Sequence, residues 1–177
     1  PEGNSLIRTY SNSEEFINGK IKYCVWVNDS DLHEALNIPE VKTRLALVTE
    51  MRSNSPKKQT QDMAEYPHKF GENRHRPSNT IMVVPRVSSE NRPFLPVGMV
   101  KNDTIIGDRN FALYDAPLWN LSIIASRLHW VWIGTVCVRL EMRFSYSNTL
   151  GWNTFPISGL TEKNKKDLTS CAEDILL

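Results

Sequence analysis

Cysteine is scarce in this sequence. Three occur in 177 residues, Cys24, Cys137 and Cys171. They are widely separated, form no C-x-x-C and have no neighbouring histidine, which excludes the usual zinc spacings and predicts buried, reduced thiols in a cytoplasmic protein rather than disulfides. There is no run of about 18 apolar residues and no basic-then-apolar leader, so neither membrane insertion nor secretion is expected. The longest apolar stretch, Leu128 to Val138, is interrupted by His129, Gly134 and Thr135. The eight glycines do not cluster, so no glycine-rich turn is present to hold a methyl donor, and the N-P-P-Y loop of adenine methyltransferases is missing. The acids show no spacing that would converge with a lysine on a divalent ion, and no Ser/His/Asp set stands out. Catalysis by this chain alone is therefore not expected.

The composition itself is ordinary, 40% apolar and 23% charged, which predicts one folded domain with a real core. Pro1 in place of an initiator methionine reads as a piece of something longer. The net charge is only +1, but Arg52 to Arg92 holds eight Lys and Arg against four acids, a net of +4 that leaves −3 for the rest. A basic segment on an otherwise acidic domain fits phosphate contacts and fits a solvated loop equally well.

Elements follow from periodicity. Strands are expected at Leu6 to Tyr10, Lys20 to Val27, Thr80 to Val87, Leu95 to Lys101, Thr104 to Ile106 and Phe111 to Tyr114. Short helices are expected around Ser13 to Ile17 and Asp31 to Leu36, a longer one over Glu40 to Met51 restarting at Ile38-Pro39, and one more turn near Thr60 to Tyr66. Apolar residues at spacings of three and four from Leu118 to Trp132 predict a buried helix over 117–134. It feeds a central strand over 135–146, because Val136, Val138, Leu140, Met142, Phe144 and Tyr146 alternate with Cys137, Arg139, Glu141, Arg143 and Ser145. The charged face of that strand could be a solvated surface or a reading head. Strands and helices intermix without regular alternation, so the expected class is α+β with a mainly antiparallel sheet and flanking helices. His129, Trp130 and Trp132 read as core residues, and His33, His68 and His75 as surface ones. The stretch Glu162 to Leu177 reads as a helix that starts the next segment, so the domain is expected to span 1–157, with 158–177 beyond it.

The stretch S-x-L-H-x-x-W (Ser126 to Trp132), followed by R-L-x-x-R-x-S-Y-S-N (Arg139 to Asn148) and W-N-T-F-P (Trp152 to Pro156), resembles the target recognition domain of the MmeI-like type IIL restriction-modification enzymes. E-F-I-N-G-K-I-K-Y-C-V-W-V (Glu15 to Val27) and V-P-R-V-S-S-E-N-R (Val84 to Arg92) extend the resemblance over nearly the whole chain. It implies a double-stranded DNA-reading module of a bacterial defence enzyme. The parent chain would also hold methyltransferase and nuclease domains, and would use S-adenosylmethionine to methylate adenine and a divalent metal to cleave. No cofactor is expected in this fragment.

Glu141 and Arg143 match the positions that set base choice in the family; Ser145 stands where the family usually has arginine. Arg86 with Asp108 or Arg109 matches a second family pairing. Chemistry agrees with the first assignment, since arginine reads guanine through N7 and O6 while a carboxylate accepts from the cytosine amino group. Ser88, Ser89 and Arg92, in the loop after a buried strand, and Lys57, Lys58, Lys69, Arg74 and Arg76, in the basic segment, are the expected phosphate contacts. The rival reading is a protein-interaction or scaffold domain that uses the charged strand as its interface; an enzyme with an unrecognised site is a third.

Overall fold

The structure is a computed structural model that describes residues 6–157 and 159–177. The described residues divide into two compact units, one of residues 6–10 and 22–75, the other of residues 11–21, 76–157 and 159–177.

In the first unit β1 (Ile7–Ser11) pairs antiparallel with β2 (Lys22–Val25), Ile7 opposite Val25 and Tyr10 opposite Lys22. After a 3-10 turn and the short α2 (Leu32–Ala35), α3 (Pro39–Ser53) begins on proline, which is harmless there because a first-turn N–H has no partner to lose. Leu6, Val27 and Ala35 form a small core with Val25, Leu32 and Val41 packed on it. Past α4 (Lys58–Asp62) the backbone is tied to α3 by Arg52, whose guanidinium donates to the carbonyls of Met63, Tyr66 and Lys69 at 2.9, 2.8 and 2.7 Å. Trp26 stacks on Phe70, with centroids 5.6 Å apart.

In the second unit α1 (Ser13–Asn18) ends on Gly19 at φ 63, where a side chain would be strained. Next in sequence come β3 (Ile81–Pro85), β4 (Val87–Ser88), β5 (Gly98–Val100), β6 (Ile105–Ile106) and β7 (Asn110–Tyr114). β3 lies between β5 and β7, antiparallel to both, and all five of its residues are buried. That is the expected consequence of an unbroken Ile-Met-Val-Val run. Met82, Val84, Leu95, Leu121, Ile124, Trp130, Ile133, Phe144 and Tyr146 share one core.

The α+β class holds, but the expected helix over 117–134 is two helices, α5 (Trp119–Ala125) and α6 (Arg127–Val136). Ser126 separates them in extended conformation, its hydroxyl accepting from the His129 N–H as a cap. Apolar spacing of three and four runs through such a break unchanged, which is why periodicity alone reads one helix. α6 also passes Gly134 instead of ending there. A side-chain carbon at Gly134 would sit 3.3 Å from the Phe144 ring, so glycine, costly in a helix by about 1 kcal/mol, permits the close approach that buries Phe144.

The expected central strand over 135–146 is not one strand. β8 (Arg139–Leu140) and β9 (Arg143–Ser145) form a hairpin, with Leu140 opposite Arg143 and Arg139 opposite Phe144, and β9 pairs with β4 on its other side. The turn residues are Glu141 and Met142, and Glu141 sits at φ 57. A glutamate-methionine pair carries no turn signal, so the reversal is invisible in the sequence. α7 (Glu162–Leu176) packs on α5, with Ala172 in the core and the Ser122 hydroxyl donating to the Leu168 carbonyl at 2.6 Å; Cys171 on its outer side is exposed and Cys24 half-buried, so of the three thiols expected to be buried only Cys137 is. The expected boundary at 157/158 falls beside Ser158, outside the described residues.

Candidate nucleic-acid interface

The hairpin rearranges the expected reading face. Residues opposite one another in a ladder share a face, so Leu140 lies beside Arg143. Val138, whose carbonyl accepts from the Ser145 N–H at 3.0 Å, extends the same ladder beside Ser145. Arg139 belongs to the opposite face with Phe144, where its guanidinium lies 4.5 Å above the ring centroid. Among the charged residues of the expected strand, Arg143 thus projects from β9 while Glu141 occupies the tip.

Glu141 and Arg143 are brought together, with Nη2 of Arg143 2.9 Å from Oε2 of Glu141. Both side chains are largely exposed, 77% for Glu141 and 48% for Arg143. An exposed pair of this kind contributes roughly 0–1 kcal/mol, so little opposes its opening towards another partner. The left-handed backbone at Glu141 costs on the order of 1–3 kcal/mol for a residue that is not glycine. A tip residue kept there at a cost is a candidate for function rather than for stability.

The second group also assembles. The Arg86 N–H donates to the Arg109 carbonyl at 2.9 Å and its guanidinium to the Asp108 carbonyl at 3.2 Å, while its head lies 5.1 Å over the ring of Phe111. Asn12, capping α1, receives the Arg109 N–H at 2.9 Å and holds the Asp108 carboxylate from its amide. The Arg86 carbonyl accepts from the Tyr146 N–H at 2.7 Å, and Tyr146 meets Phe111 edge-on. Asn12, Phe111 and Tyr146 therefore hold the expected readers, and sequence reasoning missed this role. Their only visible signal is that Tyr146 ends the apolar alternation.

Behind β9 lies His129, fully buried, with Nε2 3.2 Å from the Tyr146 hydroxyl and its ring edge-on to Tyr146, Trp152 and Phe155. Burial lowers its pKa from 6.5 to about 4 and pushes the Tyr146 phenol well above its ordinary value. The ring is therefore neutral near pH 7. His129 and Trp130 are core residues, as expected, and Trp132 packs against the same core.

The expected phosphate contacts fare unevenly. Ser88 is 2% exposed within β4, opposite Phe144, so in this conformation its hydroxyl cannot reach a phosphate. This corrects the reading of an open loop, because two residues past Pro85 the chain enters β4, which pairs with β9 in a separate sheet. Ser89 accepts from the Asn91 N–H and receives the Arg92 N–H at its carbonyl, each at 3.2 Å, which makes 89–92 a capped turn that still presents Arg92 at its end. Arg76 lies 5.1 Å over the Tyr114 ring.

In the first unit, acids meet much of the basic charge. Lys58 pairs with Asp62 at 2.6 Å, Lys69 with Asp29 at 2.8 Å and Arg74 with Glu72 at 2.6 Å. Lys57 makes no ion pair among the described residues. His68 is buried, contrary to the surface reading, and its Nε2 sits 2.8 Å from Asp29, whose carboxyl is held below its usual range by His68 first and Lys69 second. Among the described residues no group of three or more His, Cys, Asp or Glu is placed to hold a metal ion, and no helix is long and apolar enough to cross a membrane.

Residues 1–159 match the family described as "MmeI, target recognition domain". The chain is 35% identical over 176 residues to DNA methyltransferase A of Bacillus subtilis (strain 168), an alignment that takes in 99% of this chain and 20% of that protein. It also superposes with a TM-score of 0.92 and 31% identity on the type IIL restriction-modification enzyme MmeI, solved in complex with DNA, over 97% of this chain and 23% of that one. The chain thus spans about a fifth to a quarter of the length of these relatives.

Proposed function

Since the chain belongs to the MmeI target recognition domain family, we propose that it reads a double-stranded DNA sequence on behalf of a longer bacterial restriction-modification enzyme. The observation that carries this reading is the likeness, along nearly all of the chain, to an enzyme solved on DNA. The geometry supports it. An exposed arginine and glutamate at the tip of a two-stranded ribbon suit the major groove, which admits such a ribbon and presents guanine N7 and O6 and the cytosine amino group there.

On this reading Arg143 takes guanine and Glu141 cytosine of one pair, trading their mutual ion pair for base contacts. Ser145 lies along the same strand face. Arg86, braced by Phe111 and the 108–109 backbone, presents its free guanidinium edge to a second position, with Asp108 and Arg109 beside it. Arg92, Ser89, Arg76, Lys57, Lys58, Lys69 and Arg74 supply or adjust phosphate contacts that fix register without reading sequence. Adenine methylation with S-adenosylmethionine, and metal-dependent cleavage, belong to other domains of the parent.

The test is an exchange. Residues 1–159 in the parent enzyme are replaced by the matching segment of the Bacillus subtilis methyltransferase, and modified adenines are mapped in cells carrying either version. The methylated sequence is expected to change with the segment. A methylated sequence that stays with the rest of the parent would overturn the reading in favour of a scaffold.

A further inference from the structure

The ribbon that carries Glu141 and Arg143 also exposes two aliphatic side chains, Val138 at 69% and Leu140 at 50%. Neither position is accidental to the fold. On the opposite face Phe144 is buried against Trp130 and Gly134 of α6, with the buried Ser88 beside it on β4, so the hairpin has one packed side and one open side, and the aliphatic pair is on the open one. Leu140 is directly opposite Arg143, and Val138 is tied to Ser145 through its carbonyl. The open face is therefore a small block of four side chains, Leu140 from β8 and Val138 just ahead of it, with Arg143 and Ser145 from β9. Single exposed aliphatic residues occur elsewhere on this chain, but here two share one face of an outer strand, where charge is the ordinary protection.

Side chains directly opposite in an antiparallel pair have Cβ atoms about 4.5–5.5 Å apart, while successive base pairs rise by about 3.4 Å. If Arg143 meets a guanine edge, the side chain beside it lies against an adjoining base pair. The apolar group that a standard base pair presents in the major groove is the C5-methyl of thymine. Resting on the reading proposed above, we propose that Leu140 and Val138 form an apolar strip that contacts thymine methyl groups next to the base pair read by Arg143. The ribbon then reads more than one base pair: a hydrogen-bonded one through β9 and the turn, and a methyl-marked neighbour through β8.

The experiment uses the full-length parent enzyme and a duplex containing its mapped methylation sequence. Each thymine is replaced in turn by uracil, which pairs identically but lacks the methyl, and equilibrium binding is measured beside a scrambled duplex. For the natural protein, uracil is expected to weaken binding about fourfold, the worth of one buried methyl, at a thymine adjoining the Arg143 guanine and not elsewhere. Leu140→Ala should bind the thymine and uracil duplexes alike at that position, and Val138→Ala should do so at a position further along if a second thymine is sensitive. Both residues are exposed, so the variants are expected to fold, and an unchanged unfolding midpoint checks this. The strip is overturned if uracil has no effect anywhere while the scrambled duplex is still rejected, if the mapped sequence has no thymine beside that guanine, or if Leu140→Ala keeps full sensitivity. Loss of stability without any change in uracil sensitivity would place another domain of the parent on this face and likewise end the proposal. Failure to reject the scrambled duplex would instead sink the DNA-reading function itself.

Discussion

The two candidate reading groups in the second unit are built in opposite ways. Arg86 is bound on several sides: its N–H and guanidinium go to the carbonyls of Arg109 and Asp108, its carbonyl receives Tyr146, and its head lies over Phe111. Glu141 and Arg143 stand at the end of a short hairpin, held by one exposed ion pair and a left-handed turn residue. The first group is organised before any ligand arrives, and changing it disturbs the strands beneath it. The second touches little besides itself, so its identity can change with little cost to the fold. A recognition domain that must alter its specificity without losing stability has reason to keep readers at such a tip.

The strongest way to break this comparison is the double substitution Glu141→Lys with Arg143→Asp in the parent enzyme. It should move the preference at one base pair from C·G to G·C, by roughly 10- to 100-fold for about 1–3 kcal/mol per contact, and leave thermal stability unchanged. Mapping methylated sites checks it; a motif that is unchanged, or blurred at several positions, reduces the pair to a surface ion pair.

Acid should act on the support behind the hairpin. The folded pKa of His129, about 4, lies below the unfolded value near 6.5, so the unfolded chain takes up a proton first. The contribution is complete above pH 6.5, is lost as pH falls from 6.5 towards 4, and amounts to something on the order of 2–3 kcal/mol. Urea unfolding at pH 7.5 and 4.5 measures it, and His129→Gln should lessen the pH dependence across that window.

Arg86→Lys should be the mirror image of the hairpin swap. It removes the planar fork that binds Asp108 and lies on Phe111, so discrimination is expected to fall about tenfold at a different base pair and stability by about 1 kcal/mol. Binding to single-base-substituted duplexes, with a melting curve beside it, separates the two effects; a melting curve identical to that of the natural protein would show that the brace is idle. Glu141→Gly should do the reverse, relieving the left-handed backbone and raising the melting temperature by about 2 °C while erasing the cytosine preference.

The smallest expected effect is in the first unit, where Lys57→Gln should lower the slope of affinity against salt by about 0.9 without altering sequence preference. An unchanged slope would make Lys57 a solvated residue. Lys58→Gln should change it less, because Asp62 already offsets that charge.

Much of the scaffold was legible because its signals are local. Proline at the start of α3 and the unbroken Ile81 to Val84 run of β3 each act within a few residues. The family likeness was legible for a similar reason, since it rests on residue types in order. The association of Arg86 with 108–109 came from that likeness, and local pattern had no means of finding it.

What the sequence determined alone, then, is which side chains alternate, which segments can be buried, and that Glu141 and Arg143 are candidates. Only the tertiary structure decided which way those side chains face. Alternation is defined relative to a strand's own direction, and a turn of two residues puts positions 140 and 143 on one face, where a straight strand would oppose them. Whether the chain turns depends on what awaits it. β4 offers a pairing edge to β9, and Gly134 opens space for Phe144, so folding back buries Phe144 and Tyr146 while Val138 and Leu140 are left outside. The β4 partners lie nearly sixty residues away in the chain, beyond the reach of any local period.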